Sequence, residues 1–154
     1  MEAKFMRHRI LVLSGDAVFR RAMELSLRQL HEELLFADSI TEAGRLIDLS
    51  PPTLLITDCS ISQAGDGYRF AHELHRRLPG LQCIVTGDGE LSHPCETAYQ
   101  ESWLQVFRRP FSMVLFVTGL ISALENPTSF ADQEKNVARA KVNVVPFTKT
   151  LLDG

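Results

Sequence analysis

The chain has 154 residues, of which 45% are hydrophobic and 23% are charged, and its formal net charge is −3. These values are ordinary for one globular domain and exclude a wholly disordered chain. The small negative charge and the scattered basic residues argue against a nucleic-acid-binding surface. No run of about 18 apolar residues could span a membrane, and the N-terminus lacks the apolar segment of a signal peptide. We therefore expect a cytoplasmic protein without nucleic-acid or membrane partners.

Cysteine and histidine spacing gives no sign of a metal site. The three cysteines, Cys59, Cys83 and Cys95, form no CxxC motif, so we interpret them as small side chains in a reducing compartment. Among the five histidines only His72 and His75 share a predicted helix at a spacing of three, and we interpret this pair as surface residues.

Apolar runs alternate with helical patterns from the start of the chain. Ile10–Leu13 is a compact apolar run, which is typical of a buried strand, and turn residues 14–16 follow it. Apolar residues then recur at spacings of three and four, which predicts a helix from Ala17 to about Leu30. Leu34–Phe36 predicts a second short strand.

The middle of the chain repeats this alternation. A second helix, capped by Ser39 or Thr41, is predicted to end at Leu49, because the two prolines that follow cannot continue it. Thr53–Thr57 predicts the third strand, with Asp58 as its last or following residue. The Ser- and Gly-rich stretch 60–67 predicts a loop, and the amphipathic pattern of 68–78 predicts a third helix.

The last third contains two more units and a segment of different character. Cys83–Val85 predicts the fourth strand, residues 94–101 a weak polar helix, and Trp103–Phe107 the fifth strand. Met113–Leu124 predicts a strongly apolar last helix. Residues 126–154 break the alternation, so we predict one domain over 8–125 and a C-terminal tail or linker over 126–154.

Five strand–helix units with strands that are apolar on both faces predict a parallel sheet covered by helices on both sides. Sites in such open sheets form outside the carboxyl ends of the strands. That rule brings residues 14–16, Asp58, Thr86 and Arg109 to one edge of the sheet, although they are far apart in sequence.

Over Arg9–Glu125 this pattern resembles the receiver domain of two-component response regulators. Five features carry the resemblance: ILVL before an acidic turn, LLITD ending in Asp58, the downstream Asp66-Gly67, IVT ending in Thr86, and RRPF before the last helix. The resemblance implies a flavodoxin-like three-layer α/β sandwich with parallel strand order 2-1-3-4-5, and a signalling role rather than an enzyme. It also implies that Asp58 accepts a phosphoryl group from a histidine kinase, while Thr86 and a lysine matching Arg109 contact its oxygens.

The chain departs from the family pattern where receivers hold Mg²⁺. An ungapped alignment puts Ser14 and Gly15 at the two adjacent acidic positions, with Asp16 one residue late. The remaining donors are Asp58, the carbonyl of Ser60 and a displaced Asp16, which is as suited to capping the first helix as to binding metal. Because Mg²⁺ prefers carboxylate oxygens in octahedral geometry, we expect it to bind weakly.

Three further departures concern the rest of the site. Arg109 replaces the lysine, and its planar guanidinium could pair bidentately with Asp58 itself. Val106 occupies the position of the switch aromatic in strand five, while the neighbouring Phe107 should face the other side of the sheet. The loop from Asp58 to Asp66 is one residue longer than usual and lacks the Met-Pro pair of the family.

Three functional hypotheses remain at this stage. The first is an atypical receiver with impaired Mg²⁺-dependent phosphorylation at Asp58, which acts through protein–protein interaction with a histidine kinase or a downstream signalling protein. The second is a conventional receiver phosphorylated on Asp58, with Asp16 contributing metal affinity. The third is a small flavin or nucleotide binder of the same architecture, although no glycine-rich phosphate loop follows strand one. The apolar last helix suggests a partner face or a homodimer.

Overall fold

A computed structural model describes residues 8–88 and 101–125 of the chain. Five strands and four helices alternate in these ranges, and a short 3-10 turn over Arg28–Leu30 follows the first helix. The elements are β1 (Arg9–Leu13), α1 (Ala17–Leu27), β2 (Glu33–Ala37), α2 (Ile40–Leu49), β3 (Leu54–Asp58), α3 (Asp66–Arg77), β4 (Gln82–Gly87), β5 (Leu104–Arg108) and α4 (Met113–Glu125).

The sheet has the predicted topology. All four strand pairs are parallel, and the strand order is β2-β1-β3-β4-β5. The flavodoxin-like three-layer fold predicted from the sequence is therefore confirmed. Asp58 is the last residue of β3 and lies opposite Thr86 of β4, while Gly87 lies opposite Arg108 of β5. The register thus brings the predicted site residues to one edge of the sheet.

Predicted and observed elements differ mainly at their ends. Helix α3 begins at Asp66, two residues before the predicted start, because Gly65 adopts the left-handed conformation (φ 75°) that turns the chain into the helix. Helix α2 is capped by Ser39, whose hydroxyl accepts a hydrogen bond from the Glu42 amide. The predicted helix over 94–101, apart from its last residue, and the predicted tail over 126–154 lie outside the described residues.

Two hydrophobic clusters lie on opposite faces of the sheet, because successive strand residues point to alternate sides. On one face the strands pack against α2 and α3, through residues such as Leu11, Leu55, Ile47, Phe70 and Leu74. On the other face they pack against α1 and α4, through Val12, Ile56, Met23, Phe116 and Leu120. Helix α4 is strongly apolar, yet within 8–88 and 101–125 none of the helices is long and apolar enough to cross a membrane.

Gly67 allows the start of α3 to lie directly against the end of β3. A Cβ at this position would overlap the backbone carbonyl oxygen of Asp58. The same contact is fixed by two hydrogen bonds, because the amides of Gly67 and Tyr68 both donate to the Cys59 carbonyl oxygen. Only glycine fits here, and the close approach holds the backbone of Asp58 in place.

We expect Gly67→Ala to lower the free energy of unfolding by about 3 kcal/mol, because the overlap involves backbone atoms that cannot rotate away. Urea unfolding followed by Trp103 fluorescence measures the change. Gly44→Ala, in the middle of α2, is the matched control. No atom lies within 4 Å of its added Cβ, so it should raise stability by up to about 1 kcal/mol. Equal effects of the two substitutions would contradict the packing argument.

His75 is buried, and the prediction that it lies at the surface is wrong. Its ring stacks on Trp103 with centroids 4.0 Å apart, and its Nδ1–H donates to the Leu81 carbonyl oxygen over 3.1 Å. Trp103 directly precedes β5, far from His75 in sequence, so the contact depends on the tertiary fold and cannot be inferred from helical periodicity. Burial lowers the pKa of His75 to about 4, although the hydrogen bond to Leu81 acts in the opposite direction.

This lowered pKa predicts a loss of stability in mild acid. The unfolded chain binds a proton at His75 near its ordinary pKa of about 6.5, whereas the folded chain binds it only near pH 4. The contribution of His75 to the free energy of unfolding is therefore fully present above the pKa of the unfolded chain, and it decreases as the pH falls toward 4. We expect His75→Phe, which keeps the ring stack, to flatten this dependence in urea titrations at several pH values. His31→Asn, at an exposed histidine, should leave the slope unchanged.

Candidate functional site

The Asp58 carboxylate lies at the carboxyl edge of the sheet, and both of its oxygens accept hydrogen bonds. Oδ2 accepts from the Ser14 hydroxyl over 2.6 Å. Oδ1 accepts from Arg109 Nη2 over 2.6 Å and from the Thr86 hydroxyl over 3.2 Å. Only 13% of the side chain is exposed. Ser14 directly follows β1, Thr86 lies in β4 and Arg109 directly follows β5, so the parallel register itself assembles the group.

Arg109 forms a direct ion pair with Asp58 and is held on several sides. Its Nη2 also donates to Thr86 Oγ1 over 3.2 Å, and its backbone amide donates to the Gly87 carbonyl oxygen over 2.6 Å. The guanidinium carbon lies 4.6 Å from the ring centroid of Phe19 on α1, which is a cation–π distance. Arg109 pairs with Asp58 through a single nitrogen, rather than in the bidentate form the sequence suggested as possible.

Ser14 is completely buried and connects two parts of the site. Its hydroxyl donates to Asp58 and accepts a hydrogen bond from the Asp16 amide over 3.1 Å. Its carbonyl oxygen accepts from Arg20 Nη1 over 2.6 Å, which fixes the turn after β1. From the sequence, Ser14 was noted only as a position at which the acidic residue of the receiver pattern is absent. Its place in the ungapped alignment was the signal that it faces the carboxylate.

Asp16 caps α1. Its Oδ1 accepts hydrogen bonds from the amides of Val18 (2.9 Å) and Phe19 (3.3 Å), so the capping role left open by the sequence is the one seen. Of the three residues predicted to contact a metal ion, Asp58 is engaged by Ser14, Thr86 and Arg109. The hydroxyl of Ser60 accepts from the Gly65 amide. Within 8–88 and 101–125 there is no cluster of three or more His, Cys, Asp or Glu side chains arranged to hold a metal ion.

Asp66 clamps the loop between β3 and α3. Its carboxylate accepts from the amides of Ile61, Ser62 and Gln63, at 2.6, 3.1 and 3.0 Å, and from the Ser62 hydroxyl. Burial alone would raise the pKa of Asp66, but these hydrogen bonds together lower it. The carboxylate of Asp66 therefore holds the loop that follows Asp58 in place. In the Asp66-Gly67 motif the aspartate fixes this loop, and the glycine allows α3 to lie close to β3.

Val106 and Phe107 face opposite sides of the sheet, as predicted. Val106 packs with the cluster under α2 and α3, whereas Phe107 packs with the cluster under α1 and α4. Phe107 lies 5.2 Å from Phe116 between ring centroids, in an edge-to-face arrangement. The aromatic of this strand is therefore part of the core beneath α4.

The fold is shared with response regulator receiver domains. The receiver domain of PhyR from Erythrobacter litoralis is 15% identical with a TM-score of 0.67, and the match covers 80% of this chain and 94% of that one. A signal receiver domain of an HD domain-containing protein from Pseudomonas fluorescens is 21% identical with a TM-score of 0.68, covering 79% and 97%. NtrX from Brucella abortus is 20% identical with a TM-score of 0.69, covering 92% of this chain but 31% of that one. No protein-family model and no curated protein matches the chain.

A double-mutant cycle on Asp58 and Arg109 measures how strongly the pair is coupled. We expect a coupling free energy of about 1–2 kcal/mol from the stabilities of Asp58→Ala, Arg109→Ala and the double variant, because the hydrogen bond is charged and partly shielded from water. The control cycle uses Glu42 and Arg45 of α2, an ion pair in which 62% of the arginine side chain is exposed. It should give a clearly smaller coupling. Equal couplings in the two cycles would contradict the assignment of a shielded pair at the sheet edge.

Proposed function

We propose that this chain is a receiver-like signalling domain of a two-component phosphorelay, with impaired Mg²⁺-dependent phosphorylation at Asp58. The observation that carries the proposal is the 2.6 Å ion pair between Arg109 and Asp58. A carboxylate that accepts a phosphoryl group needs a free oxygen directed at the donor. Here Oδ1 accepts from both Arg109 and Thr86 and Oδ2 accepts from Ser14, so these three donors withdraw electron density from the carboxylate and compete with attack on a phosphoryl donor.

The donor set fits Mg²⁺ poorly. The ion prefers several oxygen ligands, usually including one or two carboxylates. Within the described ranges 8–88 and 101–125, no cluster of acidic side chains surrounds Asp58, since Asp16 caps α1 and Ser14 is a donor to Asp58 rather than a negatively charged ligand. Arg109 already supplies the positive charge that the carboxylate needs. Weak Mg²⁺ binding through Asp58, Asp16 and the Ser60 carbonyl therefore stays a prediction.

The conventional alternative has one observation in its favour. Asp58, the Thr86 hydroxyl and the Arg109 cation converge within 3.2 Å of one another, which is the arrangement the receiver resemblance implies for a phosphoacceptor and its readers. A phosphoryl group on Asp58 would add about two negative charges. Arg109 and Thr86 could then shift their hydrogen bonds from the carboxylate to the phosphoryl oxygens.

The domain acts through contacts with other proteins rather than through an enzymatic reaction of its own. Helix α4 presents large apolar side chains to solvent: Val114 is 74% exposed and Leu115 65% exposed. None of its residues before Glu125 is charged, which is unusual for the outer face of a surface helix. Such a face is suited to a histidine kinase, a downstream signalling protein or a second copy of the chain.

The test is phosphorylation by acetyl phosphate and binding of beryllofluoride, both with Mg²⁺. We expect little labelling at Asp58 and weak beryllofluoride binding, because the carboxylate is engaged and the ion lacks ligands. Intact-mass spectrometry measures the first and fluorine NMR the second. Stoichiometric labelling that Asp58→Asn abolishes would overturn the atypical reading in favour of the conventional one.

A variant that should gain Mg²⁺-dependent phosphorylation is the control for the weak labelling expected of the parent chain. The triple variant Ser14→Asp, Gly15→Asp and Arg109→Lys restores the two acidic positions and the lysine of the family pattern. Gly15 tolerates a side chain, since a Cβ there would meet only one atom within 4 Å, at 3.9 Å. Two carboxylates beside Asp58 repel one another unless a cation joins them, so the variant should be stabilised by Mg²⁺. If the triple variant is labelled in the presence of Mg²⁺ and the parent chain is not, the residues at positions 14, 15 and 109 are the cause of the impaired phosphorylation.

A further inference from the structure

A cavity of about 410 Å³, which opens widely to solvent, lies between α1 and the segment that joins β5 to α4. Its volume falls within the range of about 300–1,000 Å³ that small-molecule pockets occupy. Most of its lining is apolar and consists of Phe19, Ala22, Met23, Pro110, Phe111 and Met113. The receiver-like function proposed above makes no use of this cavity.

The walls of the cavity are fixed by aromatic contacts. The Phe111 ring stacks on Phe116, a completely buried residue of α4, with centroids 5.1 Å apart. Phe111 also meets Phe107 edge to face at 5.7 Å. On the opposite wall the Phe19 ring lies against the guanidinium of Arg109. A ligand would therefore enter a site that is already formed, which reduces the entropy lost on binding.

Two charged residues complete the lining, one of each sign: Arg109 and the exposed Asp88. Arg109 uses Nη2 for Asp58 and Thr86, while its Nε is buried without a partner. Its Nη1 has no hydrogen bond to any part of the chain that the structure describes, and 27% of the side chain is exposed. The cavity thus offers one hydrogen-bond donor that carries positive charge and one carboxylate that accepts.

We infer that this cavity binds a free α-amino acid with an apolar side chain. The carboxylate of the amino acid would pair with Arg109, its ammonium group with Asp88, and its side chain would lie among the Phe and Met residues. The other simple ligand classes fit less well. An anion would pair with Arg109 but would be repelled by Asp88, a cation would pair with Asp88 but would be repelled by Arg109, and an uncharged apolar molecule would pair with neither charge.

Ligand binding in the cavity would affect the candidate site through one side chain, that of Arg109. Arg109 is shared between the cavity and Asp58, so a ligand carboxylate on Nη1 competes for the same positive charge without displacing Nη2. The inference does not depend on whether Asp58 is phosphorylated. Its failure would leave the proposed signalling function untouched.

The experiment is a titration of the full chain with L-phenylalanine, followed by amide chemical shifts and calorimetry. We expect millimolar binding with the largest shifts at the amides of Phe19, Ala22 and Phe111. Phenylpropanoate lacks the ammonium group and phenethylamine lacks the carboxylate, so each should bind about two- to fivefold more weakly, as the loss of one partly exposed ion pair implies. Glycine, which has no apolar side chain, should cause no shifts there.

Matched variants test the two parts of the site separately. Asp88→Asn should weaken L-phenylalanine binding about two- to fivefold, whereas Asp48→Asn, at an exposed aspartate of α2, should not change it. Ala22→Trp should fill the cavity and abolish binding, and Ala22→Leu replaces it if the larger residue prevents folding. The inference is overturned if L-phenylalanine causes no shifts at the cavity residues. It is also overturned if phenylpropanoate binds as well as phenylalanine and Asp88→Asn has no effect.

Discussion

A carboxylate at the end of a central parallel strand must be neutralised, and the rest of the site is arranged around that requirement. Asp58 lies between β1 and β4 with little access to water, where an unpaired charge is costly. The parallel register offers neighbours from both adjacent strands and from the strand beyond. Ser14 and Thr86 provide hydroxyls, but hydroxyls carry no charge, so the compensation has to come from Arg109.

Arginine at this position has consequences that lysine would not have. Its fork of nitrogens allows one group to bind Asp58 and Thr86 while the delocalised plane rests on Phe19, a contact for which a compact ammonium is less suited. Arg109 therefore ties α1 to the ends of β3, β4 and β5 in one arrangement. The positive charge that pairs with Asp58 also belongs to a side chain of the protein itself. The neutralisation of Asp58 by Arg109 therefore follows from the fold itself.

The sequence predicted those parts of the structure that depend on local pattern. The strands that contain Ile10 and Leu54 are short and apolar on both faces. Their positions, and the edge of the sheet at which they end, could therefore be predicted from the sequence. Asp58, Thr86 and Arg109 were found because each lies at or within one residue of the carboxyl end of a strand, and the three contact one another in the structure. What could not be predicted depends on contacts between distant segments. The burial of His75 requires Trp103, and the early start of α3 requires the left-handed turn at Gly65.

Ser14 determines the character of the site as much as Arg109 does, because it contacts the other oxygen of the Asp58 carboxylate. An acid beside Asp58 would leave two negative charges in contact, and only a bound cation could hold them together. A serine at the same place donates a hydrogen bond to the carboxylate, so the attraction is internal and permanent. Combined with Arg109 on the other oxygen, it satisfies the carboxylate from both sides. Ser14 and Arg109 are therefore best understood together, as the two sides of one hydrogen-bonded cluster that holds the Asp58 carboxylate.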